Sequence, residues 1–76
     1  MNKIILRFIV VKQNKTFEVV FDQRLSFIEN FVLLKDIYYV NINKAYIMDN
    51  KKQIALKKDV PLSKFNFKNF KTLYIF

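Results

Sequence analysis

The sequence predicts an α+β fold: a mixed four- to five-stranded sheet packed on one α-helix, in the order β-β-α-β-β-(short 3-10 turn)-β. Three observations predict it. Apolar residues alternate with period 2 over 3–12 and 16–21, the spacing of half-buried strands. The period changes to that of a helix after Ser26, behind a capping signal. Alternation returns in Thr72-Leu73-Tyr74-Ile75-Phe76. A chain of 76 residues allows one domain, 1–76, and folding at this size buries only about 60% of the unfolded chain's surface. The core must be dense, and 53% hydrophobic residues with nine Phe and four Tyr supply it. Such a composition excludes a disordered chain.

In the first strand Ile4, Leu6, Phe8 and Val10 share one face, and Ile5, Arg7, Ile9 and Val11 share the other. Arg7 marks the second face as the wetter one. Gln13, Asn14 and Lys15 break the pattern, and Asn14 is the best residue for a left-handed turn position in a chain without Gly. Phe17, Val19 and Phe21 alternate along a second strand, which makes a hairpin with the first. Ser26 and Glu29 form an S-x-x-E capping box, so Ser26 reads as a cap rather than a nucleophile. Phe27, Phe31, Leu34 and Tyr38 then fall in one helical arc. Ala45-Tyr46-Ile47-Met48 is a short strand and Ile54-Ala55-Leu56 a shorter one. Pro61 can open a helical turn, because it needs no donor there. The expected core is Leu6, Phe8, Phe17, Val19, Phe31, Leu34, Leu62, Leu73 and Ile75.

The absences narrow the function. Without Cys there is no disulfide framework and no thiolate metal site. Without His the usual general base and the usual metal ligand are missing. Without Gly there is no phosphate-cradling loop. The carboxylates are scattered, so the reading is a non-enzymatic protein with no catalytic residue, metal or cofactor. The apolar start, Ile4-Ile5-Leu6, is broken by Arg7 and lacks a signal-peptide cleavage site. No stretch approaches the roughly 20 apolar residues that span a bilayer. A cytoplasmic location without membrane insertion is therefore expected.

Net charge is +8, and it is uneven. Residues 1–38 carry a net +2, and residues 39–76 carry +6. Lys51, Lys52, Lys57 and Lys58 are the candidate anion contacts in the second half. Phe, Tyr, Met, Ile, Asn and Lys make up 44 of the 76 residues, as an AT-rich genome produces. In such a composition Lys becomes the default solubilising residue, so a solvated loop edge is the preferred reading. No RNP-type aromatic signature or GxxG loop accompanies the charge. A small basic nucleic-acid-binding or mobile-element protein is the rival reading.

Pro61-Leu62-Ser63-Lys64-Phe65-Asn66-Phe67 resembles the ubiquitin pattern T-L-S-D-Y-N-I, and Thr72-Leu73-Tyr74-Ile75-Phe76 resembles T-L-H-L-V at the same spacing. Ile28-Glu29-Asn30 resembles the start of the ubiquitin helix. The likeness is good over 45–76 and rests on element order over 1–44. It implies a ubiquitin-like β-grasp fold. Within that fold the chain most resembles the small bacterial ubiquitin-like proteins of the EsaB/YukD family, which end without a Gly-Gly tail. That resemblance implies a cytosolic accessory or regulator of Gram-positive type VII secretion. Members often carry a Gly near the last turn, and here Asn69 is expected to fill its place. A sulfur carrier or conjugated modifier would need a C-terminal Gly-Gly, whereas this sequence closes on Ile75-Phe76.

The β-grasp order makes the first, last and third strands neighbours. Ile5, Ile9, Ile47, Tyr74 and Phe76 are then expected to share the open face of the sheet. A contiguous apolar patch of that kind marks a partner or oligomer surface. The expected partners are a protein, such as a component of secretion machinery, and a second copy in a weak homodimer.

Overall fold

The computed structural model describes residues 2–34, 41–49 and 55–76. Four strands, β1 (Lys3–Val10), β2 (Lys15–Asp22), β3 (Ile47–Asp49) and β4 (Lys71–Ile75), form one sheet in the order β2-β1-β4-β3. Among the described residues one α-helix, α1 (Phe27–Leu34), follows β2, and a 3-10 turn, Leu62–Phe65, precedes β4. The protein is thus α+β, with a mixed sheet whose order is compatible with a β-grasp. The fifth strand expected at Ile54–Leu56 shrinks, within the described residues, to a bridge between Ala55 and Met48. Leu56 N–H donates to the Ile47 carbonyl at 2.8 Å beside it. Tyr38, expected on the core arc of the helix, lies outside the described residues.

β1 and β2 pair antiparallel from Lys3 opposite Asp22 to Val10 opposite Lys15. The chain reverses through the 3-10 turn Val11–Gln13 and Asn14, whose φ of 51° is the left-handed conformation expected of it. Asn tolerates that region because its short polar side chain compensates locally. β4 runs parallel to β1, with Leu73 opposite Phe8 and Ile75 opposite Val10. The ladder is prolonged by the loop before β4, where Phe70 N–H donates to the Ile5 carbonyl at 2.7 Å and Ile5 N–H donates to Asn69 Oδ1 at 3.0 Å. Asn69 therefore acts as an acceptor. The left-handed residues near the last turn are Asn66 (φ 54°) and Phe70 (φ 65°), which corrects the expectation for Asn69.

Helix α1 starts as its capping box dictates. Glu29 N–H donates to Ser26 Oγ at 3.1 Å, and Ser26 N–H donates to Glu29 Oε1 at 3.0 Å. Ile28 N–H, another donor without a partner inside the helix, donates to the Lys58 carbonyl at 3.2 Å. The helix lays Phe27 and Phe31 on the sheet. Phe8, fully buried, sits at the centre of a ring of Phe17, Phe21, Phe27 and Phe31 at centroid distances of 5.2–6.2 Å. Tilted and edge-on aromatic pairs of this kind each add about 0.5–1.5 kcal/mol beyond the area they bury.

Leu6, Phe8, Val19, Phe31, Leu62, Leu73 and Ile75 are buried as expected, and Phe17 and Leu34 pack against them partly exposed. Ile47 departs from expectation. It is fully buried and stands opposite Ile75, which faces the helix. Residues directly opposite in an antiparallel pair share a face, so Ile47 belongs to the core and not to the open face.

Candidate interaction surface on the open sheet face

Strand register places the open-face side chains in rows. Ile9 lies opposite Tyr74 across the parallel pair, and Tyr74 lies opposite Met48. Tyr46 and Phe76 extend the β3–β4 pairing beyond the strands: Tyr46 N–H donates to the Phe76 carbonyl at 3.0 Å, and Phe76 N–H donates to the Tyr46 carbonyl at 2.8 Å. Their numbers share the parity of Met48 and Tyr74, so they share the same face. Tyr46 is 63% exposed and Phe76 44% exposed, while Ile9, Met48 and Tyr74 are half-buried. One end of the open face is therefore an apolar corner of Ile9, Met48, Tyr74, Tyr46 and Phe76.

Ile5 lies on the same face but apart, paired with the exposed Val20 of β2. Between Ile5 and the corner sits Arg7. Its guanidinium donates to Glu18 Oε2 on the facing strand at 2.7 and 3.0 Å. Both side chains are more than two-fifths exposed, so the pair is worth about 0–1 kcal/mol to the fold. Covering it with a partner would desolvate two charges. Docking on the corner beyond it avoids that cost.

Of the five residues expected on this face, Ile5, Ile9, Tyr74 and Phe76 point there and Ile47 does not. Met48, Tyr46 and Val20 take part without having been expected. A signal for the first two exists in Ala45-Tyr46-Ile47-Met48: a Tyr hydroxyl suits a wet face better than Ile does.

At the same end of the sheet Lys12 and Lys44, with Gln13 and Asn41, line a recess of about 180 Å³ whose apolar walls are the core residues Val10, Ala45 and Ile75 together with Phe76, the residue it shares with the corner. The lysines expected as anion contacts behave differently. Lys51 and Lys52 lie outside the described residues, and Lys57 is exposed. Lys58 is a structural strut. Its Nζ donates to the carbonyls of Ile42, Asn43 and Ala45 at 2.8, 3.1 and 2.8 Å. An ammonium has three protons, and all three are committed, which removes Lys58 as a free anion contact.

Among the described residues no group of three or more carboxylates is placed to hold a metal ion, and no helix is long and apolar enough to cross a membrane. Comparison with protein-family models and with curated proteins returns no match, so the surface is interpreted from its own residues.

Proposed function

We propose that this chain is a non-catalytic protein-binding module that docks a partner on the apolar corner of its open sheet face. The observation that carries the reading is the unbroken row Ile9–Tyr74–Met48 with Tyr46 and Phe76 beside it, on a face that a solvated sheet would keep polar. Lys12 and Lys44, in the recess that adjoins the corner at Phe76, favour a partner with acidic residues beside its apolar patch. The parallel pairing of β1 with β4 and the order β2-β1-β4-β3 support a ubiquitin-like β-grasp. Under that reading the resemblance to the EsaB/YukD family makes the chain a cytosolic accessory or regulator of type VII secretion.

The test is direct binding to the purified cytosolic domains of a type VII membrane ATPase, measured for the wild type, Tyr74→Asp and Lys57→Glu. Binding that Tyr74→Asp abolishes and Lys57→Glu leaves intact supports the proposal. Equal loss in both variants would move the function to the charged loops and favour the nucleic-acid reading.

A further inference from the structure

A second site lies on the other side of the sheet, independent of the open face. The end of the 3-10 turn and residues 66–68 line a half-open pocket of about 390 Å³. It is lined by Lys64, Lys68, Lys71 and Asp49, with Phe65, Phe67 and Leu56 as its apolar walls. Its size is that of a small-molecule site.

The charges are arranged unequally. Lys71 Nζ lies 3.0 and 3.1 Å from the two carboxylate oxygens of Asp49, and both side chains are largely buried. Lys64 and Lys68 are exposed and form no ion pair among the described residues. Among the described residues the lining therefore carries two positive charges without an ion-pair partner, the complement of one terminal phosphate dianion. The apolar walls are flat. Phe65 and Phe67 stack with centroids 5.1 Å apart and planes 14° from parallel, and both are braced by Phe27. The left-handed Asn66 turns the chain between the two rings and itself lines the pocket.

We infer that this pocket binds a mononucleotide-type ligand, with its phosphate on Lys64 and Lys68 and its flat ring against Phe65 and Phe67. Lysine suits the phosphate as a mobile point charge, and the aromatic pair suits a ring of any base, so the site selects the class of ligand and not the base.

The probe is ADP carrying an N-methylanthraniloyl fluorophore, titrated into the full chain, with amide chemical shifts recorded alongside. The expected result is saturable one-to-one binding, with shifts confined to 55–56 and 64–71. Unlabelled ADP should compete, and adenosine and pyrophosphate should each compete at least about tenfold less well, since each supplies half of the contacts. Lys64→Gln with Lys68→Gln should weaken binding by about 10–100-fold while circular dichroism stays unchanged. The control Lys12→Gln with Lys44→Gln should leave the affinity as it is.

Pyrophosphate or adenosine competing as well as ADP would overturn the inference, because only charge or only stacking would be at work. So would a failure to saturate, shifts spread over Lys12, Lys15 and Lys44, or equal weakening in the control. A single-stranded oligonucleotide, or a Glu-rich peptide, that displaces the probe at lower concentration than ADP would replace the inference with a macromolecular one.

Discussion

Asn30 completes the end of β2 by bonding to Asp22 as a neighbouring strand would. Its Oδ1 accepts from the Asp22 amide N–H at 2.9 Å, and its Nδ2 donates to the Asp22 carbonyl at 3.0 Å. The same Nδ2 donates to the Ser26 carbonyl at 2.9 Å. One buried side chain thus ties the last residue of β2 to the first turn of α1.

Removing that amide leaves buried backbone groups unpaired. Asn30→Leu is expected to cost about 2–3 kcal/mol, and Asn30→Asp nearly as much, because a carboxylate cannot donate to the two carbonyls. Urea unfolding of the three proteins checks this. A loss below about 0.5 kcal/mol for Asn30→Leu would show that water satisfies the site.

Adjacent residues of β3 should respond in opposite ways. Ile47→Asp buries a charge among Ile75 and its neighbours and is expected to unfold the domain. Met48→Asp and Tyr74→Asp lie on the open face and should leave the circular dichroism spectrum intact. If the apolar corner also supports a weak homodimer, both should shift light scattering toward the monomer. A folded Ile47→Asp would mean that the register of β3 is off by one residue.

Asp22 provides the pH dependence. Its carboxylate accepts hydrogen bonds from the Arg24 side chain at 2.7–3.3 Å and from the Arg24 amide at 2.9 Å. The side-chain bonds first, and the amide second, hold its pKa at about 2, below the ordinary 3.8. The native state therefore binds fewer protons than the unfolded chain between these values. The Asp22 contribution is complete above about 3.8, declines as pH falls, and is gone below about 2. Asp22→Asn should flatten the stability profile in that window, measured by thermal unfolding from pH 5 to pH 2. An unchanged slope would locate the acid sensitivity elsewhere.

Two neighbouring lysines separate strut from surface. Lys58→Met withdraws three hydrogen bonds from the carbonyls of the turn at 41–45 and is expected to cost about 2 kcal/mol. Lys57→Met, at an exposed position, should change stability by less than about 0.5 kcal/mol. Equal effects would mean that water replaces the Lys58 contacts without loss.

Phe70 inverts the usual ranking of Gly and Ala. At φ 65° any Cβ is penalised, so Phe70→Gly should be more stable than Phe70→Ala by about 1 kcal/mol. The residue is 52% exposed, and the packing its ring does make is lost alike in both variants. Ala matching Gly in thermal unfolding would show that the loop relaxes out of the left-handed region.

How far the fold is legible depends on whether a residue's chemistry differs between its alternatives. β1 is legible because Arg7 labels its wet face, and α1 because Ser26 and Glu29 can bond only as a cap. β3 is legible only through the Tyr46 hydroxyl, because Met48 on that side and Ala45 and Ile47 on the other are all apolar. Asn30 is silent for another reason. A polar residue within a helical segment normally faces water, and its partner Asp22 comes close only after the chain turns. Lys58 is indistinguishable from Lys57 until the turn at 41–45 is folded beneath it. Phe70 carries no turn signal at all, since a chain without Gly must place left-handed residues where sterics disfavour them.

The central strand β1 has one neighbour made directly after it and one made only after residue 70. Leu6 to Val10 pair with Lys71 to Ile75, across almost the whole sequence. During synthesis β1, β2 and α1 leave the ribosome with one edge of β1 open and Leu73 and Ile75 missing from the core. A two-stranded hairpin is marginal by itself in water, and α1 packs on it here while the buried Leu73 and Ile75 are still absent from the core. The nascent chain therefore cannot lock its core until residues 71–75 have emerged. Until then the β1 edge is a template for any other strand, a chaperone's client rather than a folded domain.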